Sequence, residues 1–241
     1  MGRVFVWKQI MNGYAFMLTG AQLAALPSGA LYWGDAGLLA VSDLHLGKAE
    51  RIARRGGALL PPYETRETLA RLEADITVTG ARTVLCLGDS FDDLDAAAGL
   101  PEDEAQWLMR LMAGRRWLWI EGNHDPGPIA FGGSHLAEYA AGPLIFRHIA
   151  RPGAVGEVSG HYHPKARISL GGRALSRPCF LHDAARLILP AYGAYTGGLC
   201  WDDPAFAPLF GTEARAIMLG NPPRPLPKPP CRAAAHEVTH A

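Results

Sequence analysis

Five apolar runs of only a few residues each stop abruptly at a polar group. Leu38 to Val41 ends at Ser42-Asp43, Thr83 to Leu87 at Gly88-Asp89, and Trp117 to Ile120 at Glu121-Gly122-Asn123. Leu144 to Phe146 ends at Arg147-His148, and Val155 to Val158 at Ser159-Gly160-His161. Runs this short suit buried strands rather than helices. Between them, 62–74 and Glu102 to Met112 carry Leu69, Leu72, Trp107, Leu108, Leu111 and Met112 at helical spacing. Strands alternating with helices give an α/β class of layered sheets and helices. Such sheets hold their ligands just past the C-terminal ends of the strands, so all five polar groups are expected on one rim.

Further along, 166–175 is expected to form a hairpin turning at Gly171-Gly172, with more strands at 186–189 and 214–219. These elements follow one another without long helices, which suggests a second, largely antiparallel sheet. With 241 residues, 49 % of them hydrophobic, residues 1–220 can bury the core of one large domain. Residues 221–241 are expected to be a mobile extension unable to join a ladder, because prolines crowd Asn221 to Pro230. His236 and His240 fall in it and are set aside as ligands.

The formal net charge of +0 argues against a strongly basic nucleic-acid coat, though not against a local basic path. Met1 to Gly20 lacks the basic start and unbroken apolar run of a signal peptide, and no membrane span is apparent. The four cysteines stand singly, as reduced thiols do. A cytoplasmic protein with no membrane partner is expected.

The polar groups read as metal chemistry. Asp43 and His45 are two apart, so on extended chain they face one way and can chelate. Asp89 follows a glycine at a strand end and can bridge two cations. Asn123 offers an amide oxygen, His161 and His163 again share a side, and His148 completes a second cation's set. Carboxylate, amide and imidazole together accept Mn, Fe or Zn. Each group alone also fits a turn, a cap or a half-buried histidine. His148 is the weakest member, with His135 and His182 as competitors. The conjunction in one order carries the weight.

That order resembles the calcineurin-like metallophosphoesterases over about residues 38–165. The resemblance implies a layered sandwich of two mixed β-sheets flanked by helices and two divalent cations, with Mn expected and Fe or Zn as alternatives. One cation falls to Asp43, His45, Asp89 and His163, the other to Asp89, Asn123, His148 and His161. His124 becomes the catalytic imidazole, oriented by Asp125 or Asp92. Asp43-Leu-His-Leu-Gly-Lys-Ala49, Gly160-His-Tyr-His-Pro-Lys-Ala166, Arg177-Pro-Cys-Phe180 and the run from Leu189 to Gly198 are similar to the bacterial ligase-associated, endonuclease-like members. That closer likeness implies a phosphodiester substrate, DNA, and a DNA ligase or repair complex as partner. One departure is Ser90-Phe91-Asp92-Asp93, where an apolar pair and often a histidine are expected.

Lys48, Arg51, Arg54 and Arg55 follow the first chelating pair, and Lys165 and Arg167 follow the last. They suit either a solvated basic face or a path for the phosphate backbone. A phosphatase or pyrophosphatase of a small nucleotide or metabolite is the alternative enzyme. An inactive binding scaffold is disfavoured because every ligand position is filled.

Overall fold

In the computed structural model, which describes residues 12–54, 56, 63–127 and 131–232, two mixed β-sheets share one apolar core. The first sheet follows chain order: β1 (Tyr14–Leu18), β2 (Ala21–Ala25), β3 (Leu31–Trp33), β4 (Leu38–Val41), β5 (Thr83–Leu87), β6 (Arg116–Ile120) and β7 (Ser134–Leu136). Strands β1 to β4 pair antiparallel and β4 to β7 parallel.

The second sheet contains β8 (Glu138–Ala141), β9 (Leu144–Arg147), β10 (Glu157–Ser159), β12 (Arg173–His182), β13 (Arg186–Ile188), β14 (Arg215–Met218) and β15 (Arg224–Pro227). Its order is β15-β14-β12-β13-β10-β9-β8, and β11 (Lys165–Leu170) pairs with the first half of β12. The β9–β10 and β10–β13 pairs are parallel and the others antiparallel.

Side-chain alternation assigns each face. Leu38, Ala40, Leu85, Leu87, Leu118 and Ile120 meet Leu144, Phe146, Val158, Phe180 and Ile217 between the sheets. Their neighbours Leu39, Val41, Val84, Cys86 and Trp117 face the other way, onto helices α2 (Glu64–Thr79) and α4 (Glu102–Met112) through Leu69, Leu72, Ile76, Leu108 and Leu111. Two shorter helices, α1 (Lys48–Arg54) and α3 (Leu94–Ala98), follow β4 and β5 in the chain. The outer face of the second sheet is closed by Trp201, Phe206, Leu209 and Phe210. No described helix is long and apolar enough to cross a membrane.

Some expectations shift. The strand expected from Val155 begins at Glu157, because Gly156 takes φ 73 and Val155 lies exposed in the preceding turn. Glu157 is buried in its place, bonded to Arg147 at 3.0 Å. Helix α2 runs past the apolar spacing to Thr79 and stops at Gly80, which is left-handed and donates its N–H to Ile76.

The proline-dense segment is a correction. Arg224–Pro227 does join a ladder, against β14 at the sheet edge. Lys228 donates its N–H inward to Ala214, so the missing N–H groups of Pro225 and Pro227 fall on the outward edge, where proline is tolerated. Arg232 then anchors to Asp202 through its backbone N–H and its side chain. Residues 233–241, with His236 and His240, lie outside the described residues.

Phe146 is fully buried between the sheets, on the strand that leads to His148. Phe146→Ala is expected to cost about 3–5 kcal/mol, read as a lower urea midpoint at unchanged m-value.

Candidate metal centre

Strands β4, β5 and β6 run parallel in one sheet, and β9 and β10 run parallel in the other. Their C-terminal ends therefore gather at one rim. The loops leaving them are tied together by backbone bonds: Asp43 N–H to Gly88 C=O at 3.2 Å, His45 N–H to Asp89 C=O at 2.9 Å, and Gly160 N–H to His148 C=O at 3.0 Å. Five donor residues take left-handed backbone: Asp43, His45, Asp89, His161 and His163, with φ between 46 and 72°. Non-glycine residues rarely accept this, and such strain collects at functional sites. Glycines make room for the loops to meet. A Cβ on Gly122 would fall 2.1 Å from the Asp89 nitrogen, and one on Gly160 would fall 1.7 Å from Ser42 Oγ.

Two donor clusters result. Asp43, His45 and His163 bring one ligand atom each within 4.8 Å of one another, and so do Asp89, His148 and His161. In the first cluster Asp43 Oδ1, His45 Nε2 and His163 Nε2 are buried without a hydrogen-bond partner. Asp43 Oδ1 lies 3.0 Å from His163 Nε2, but out of hydrogen-bond alignment. Buried polar atoms left unpaired are costly, and a cation in their midst would satisfy all three. The other Asp43 oxygen is already held, by Ser42 Oγ–H at 2.5 Å and His161 N–H at 3.0 Å.

In the second cluster, His148 donates Nδ1–H to Leu87 C=O at 2.8 Å, so its Nε2 faces the site. There it meets Asp89 Oδ2 at 3.4 Å and His161 Nδ1 at 3.2 Å. Asn123 lines a cavity of about 410 Å³ together with His148. His135 and His182 belong to neither cluster; their rings pack against Trp119 and Phe16.

Electrostatics prepares both sets for cations. Burial pushes the Asp43 and Asp89 carboxyls up. The neighbouring histidines, His163 and His148 for Asp43 and chiefly His148 for Asp89, outweigh it and hold both below the usual carboxylate range. Burial and the charge of His148 push His161 down, so it stays neutral as a ligand must. Burial pushes His148 down too, but Asp89 and Asp43 outweigh it and raise its proton affinity. Acid, amide and imidazole donors of this kind fit divalent Mn, Fe or Zn.

His124 stands beside the first cluster, its ring 5.3 Å from that of His45 and edge-on to it. Its N–H donates to Asp89 Oδ1 at 2.9 Å, and its Nδ1 to the backbone carbonyl of Asp92 at 2.9 Å. The roles expected of two acids need correction here. Asp92 does orient His124, but through its carbonyl; its carboxylate faces His45 Nδ1 at 2.9 Å and pairs with Arg51. The Asp125 carboxylate accepts the backbone N–H groups of Asp89, Ser90 and Phe91 at 2.7–3.3 Å, fixing the loop that carries Asp89. Burial, aided by the charge of Asp89, pushes Asp125 up to about 6 despite those bonds. The Ser90-Phe91 departure is structural: Phe91 is fully buried and stacks on Phe131.

The described arginines of the basic stretch pair with acids of the protein itself. Arg51 pairs with Asp92, and Arg54 with Asp93 at 2.9 Å and Asp95 at 3.3 Å. Arg55 lies outside the described residues. Lys48 is half-buried at the start of α1, Lys165 donates to Thr196 C=O at 3.1 Å, and Arg167 is exposed on β11. Sequence reasoning gave no role to Ser42 or to Tyr192-Gly193, whose N–H groups hold the carbonyls of Ser42 and Asp43. A serine beside an aspartate is too common a pair to signal this.

Residues 37–184 match the family model described as calcineurin-like phosphoesterase. No curated protein sequence matched the chain. Among solved structures, the Pseudomonas putida nuclease MPE is similar at 29 % identity and a TM-score of 0.71, over 89 % of this chain and 100 % of that one. With both sheets, the strand-end loops and two donor clusters in place, the chain belongs to the calcineurin-like phosphoesterases.

Proposed function

We propose that this phosphoesterase is a two-metal phosphodiesterase that cleaves DNA. Asp43, His45, Asp89 and His163 hold one cation. Asp89, Asn123, His148 and His161 hold the other, with Mn as the preferred metal. The buried donor atoms of the first cluster, without aligned hydrogen bonds, carry this reading, since one cation in their midst would satisfy all three. The DNA substrate is supported by the likeness to nuclease MPE. The blocks shared with ligase-associated members add a repair setting beside a DNA ligase.

Paired divalent cations supply positive charge for the phosphoryl oxygens and make water acidic enough to attack near neutral pH. The protein's own groups do the rest. Asp92 C=O holds the Nδ1 proton of His124, which leaves Nε2 to carry a proton to the departing oxygen. The Asp92 carboxylate, itself held by Arg51, faces the His45 ring at 2.9 Å. Asp125 keeps Asp89 from swinging away.

Asp89→Asn is expected to lose metal and turnover together, turnover by more than about a hundredfold. His124→Ala should keep its metal and lose about 10²–10⁴ in kcat; full activity in that variant would remove His124 from the reaction. Metal analysis beside hydrolysis of bis(p-nitrophenyl) phosphate, p-nitrophenyl phosphate and single-stranded DNA reads both. Preference for the monoester would contradict the phosphodiesterase assignment.

Metal loading should also weaken as pH falls. His148 binds its proton more tightly than an ordinary imidazole, so acid favours the proton over the cation. Calorimetric titration with Mn²⁺ at several pH values checks the sign.

A further inference from the structure

The run from Pro190 to Gly198 has no part in the chemistry above, yet it is fastened to both sides of the site. On one side Gly193 donates its N–H to Asp43 C=O at 3.1 Å, and a Cβ on Gly193 would fall 2.0 Å from the Leu44 carbonyl oxygen. On the other side a Cβ on Gly198 would fall 2.1 Å from the His163 carbonyl oxygen. Helix α2 fixes the base of the loop. The Tyr192 hydroxyl donates to Asp75 at 2.8 Å, Arg71 donates to Tyr192 C=O at 2.9 Å, and Ala194 N–H donates to Thr68 Oγ1 at 3.2 Å.

At the crest stands Tyr195. Its backbone is left-handed, with φ 56, and its side chain is 50 % exposed. A bulky residue at positive φ is strained, and an exposed ring recovers little of that cost by burial. Glycine or asparagine would sit there more comfortably. The crest is nonetheless held: Thr196 Oγ1 donates to Gly193 C=O at 3.2 Å, and its carbonyl accepts from Lys165 at 3.1 Å. Two residues span at most about 7 Å, so Tyr195 stays close to Gly193 and hence to the Asp43 turn. The far end of the loop walls a cavity of about 460 Å³ lined by His161, Tyr162, His163, Gly198, Leu199 and Ala205. An exposed aromatic ring on a loop fastened to the Asp43 and His163 turns is the kind of group on which a nucleobase can stack.

We propose that Tyr195 is a substrate-binding residue that stacks on a nucleobase flanking the scissile phosphate. This rests on the phosphodiesterase reading above and adds to it the feature that tells a nucleotide diester from any other.

The test compares kcat/KM of the Mn-loaded protein for two diesters, thymidine 5′-(p-nitrophenyl phosphate) and methyl p-nitrophenyl phosphate. The ratio of the two isolates recognition of the base. Tyr195→Asn suits the left-handed backbone and removes the ring, so it should fold at least as well, checked by its melting temperature. Its ratio should fall by about fivefold to a hundredfold, mostly through KM. Tyr195→Phe, which keeps the ring, should hold the ratio of the unaltered protein. An unchanged ratio in Tyr195→Asn overturns the stacking role, as does a Phe variant that falls as far as the Asn variant. Should the unaltered protein cleave neither diester, the phosphodiesterase reading fails and the stacking role falls with it.

Discussion

Two carboxylates buried at one rim, Asp43 and Asp89, set the terms for the rest of the site. Taking a carboxylate out of water is costly unless charge and hydrogen bonds replace the solvent. For Asp43 the replacements are Ser42, the His161 amide and two imidazoles; for Asp89 they are the His124 amide and His148. These partners come from strand ends of both sheets. The site therefore exists only when the sandwich is assembled, and the two sheets are joined at the rim by charge as well as by the apolar core below it.

The backbone carries a second share of the constraint. Five donor residues are held left-handed, and the loops are laced together by main-chain bonds that leave little freedom to relax. Asp125 and Tyr192-Gly193 touch no donor side chain directly in this bonding. They fix the chain on which Asp89 and Asp43 are mounted. Preorganisation here means a scaffold that tolerates strained turns so that the donors converge.

Much of this was legible in the sequence, and the reason is local. Short apolar runs ending in Asp, Asn or His fixed strand ends and ligand candidates together, and chain order then reproduced β4, β5, β6, β9 and β10. The layered α/β class and the Gly171-Gly172 hairpin were readable for the same reason. What escaped depends on distant partners. Nothing local says that Arg51 and Arg54 are taken up by Asp92, Asp93 and Asp95 some forty residues on. Nor does proline content reveal that alternate prolines leave one strand edge able to pair, as 224–227 does. Asp92 and Asp125 are expected beside His124 from the resemblance alone, whereas the fold turns their carboxylates to Arg51 and to the backbone of 89–91.

The most direct measurement is anomalous diffraction from crystals of the Mn-loaded protein. The account predicts two peaks about 3.5–4 Å apart, one among Asp43, His45 and His163 and one among Asp89, His148 and His161, with Asp89 between them. A single peak, or metal bound away from these donors, would contradict it.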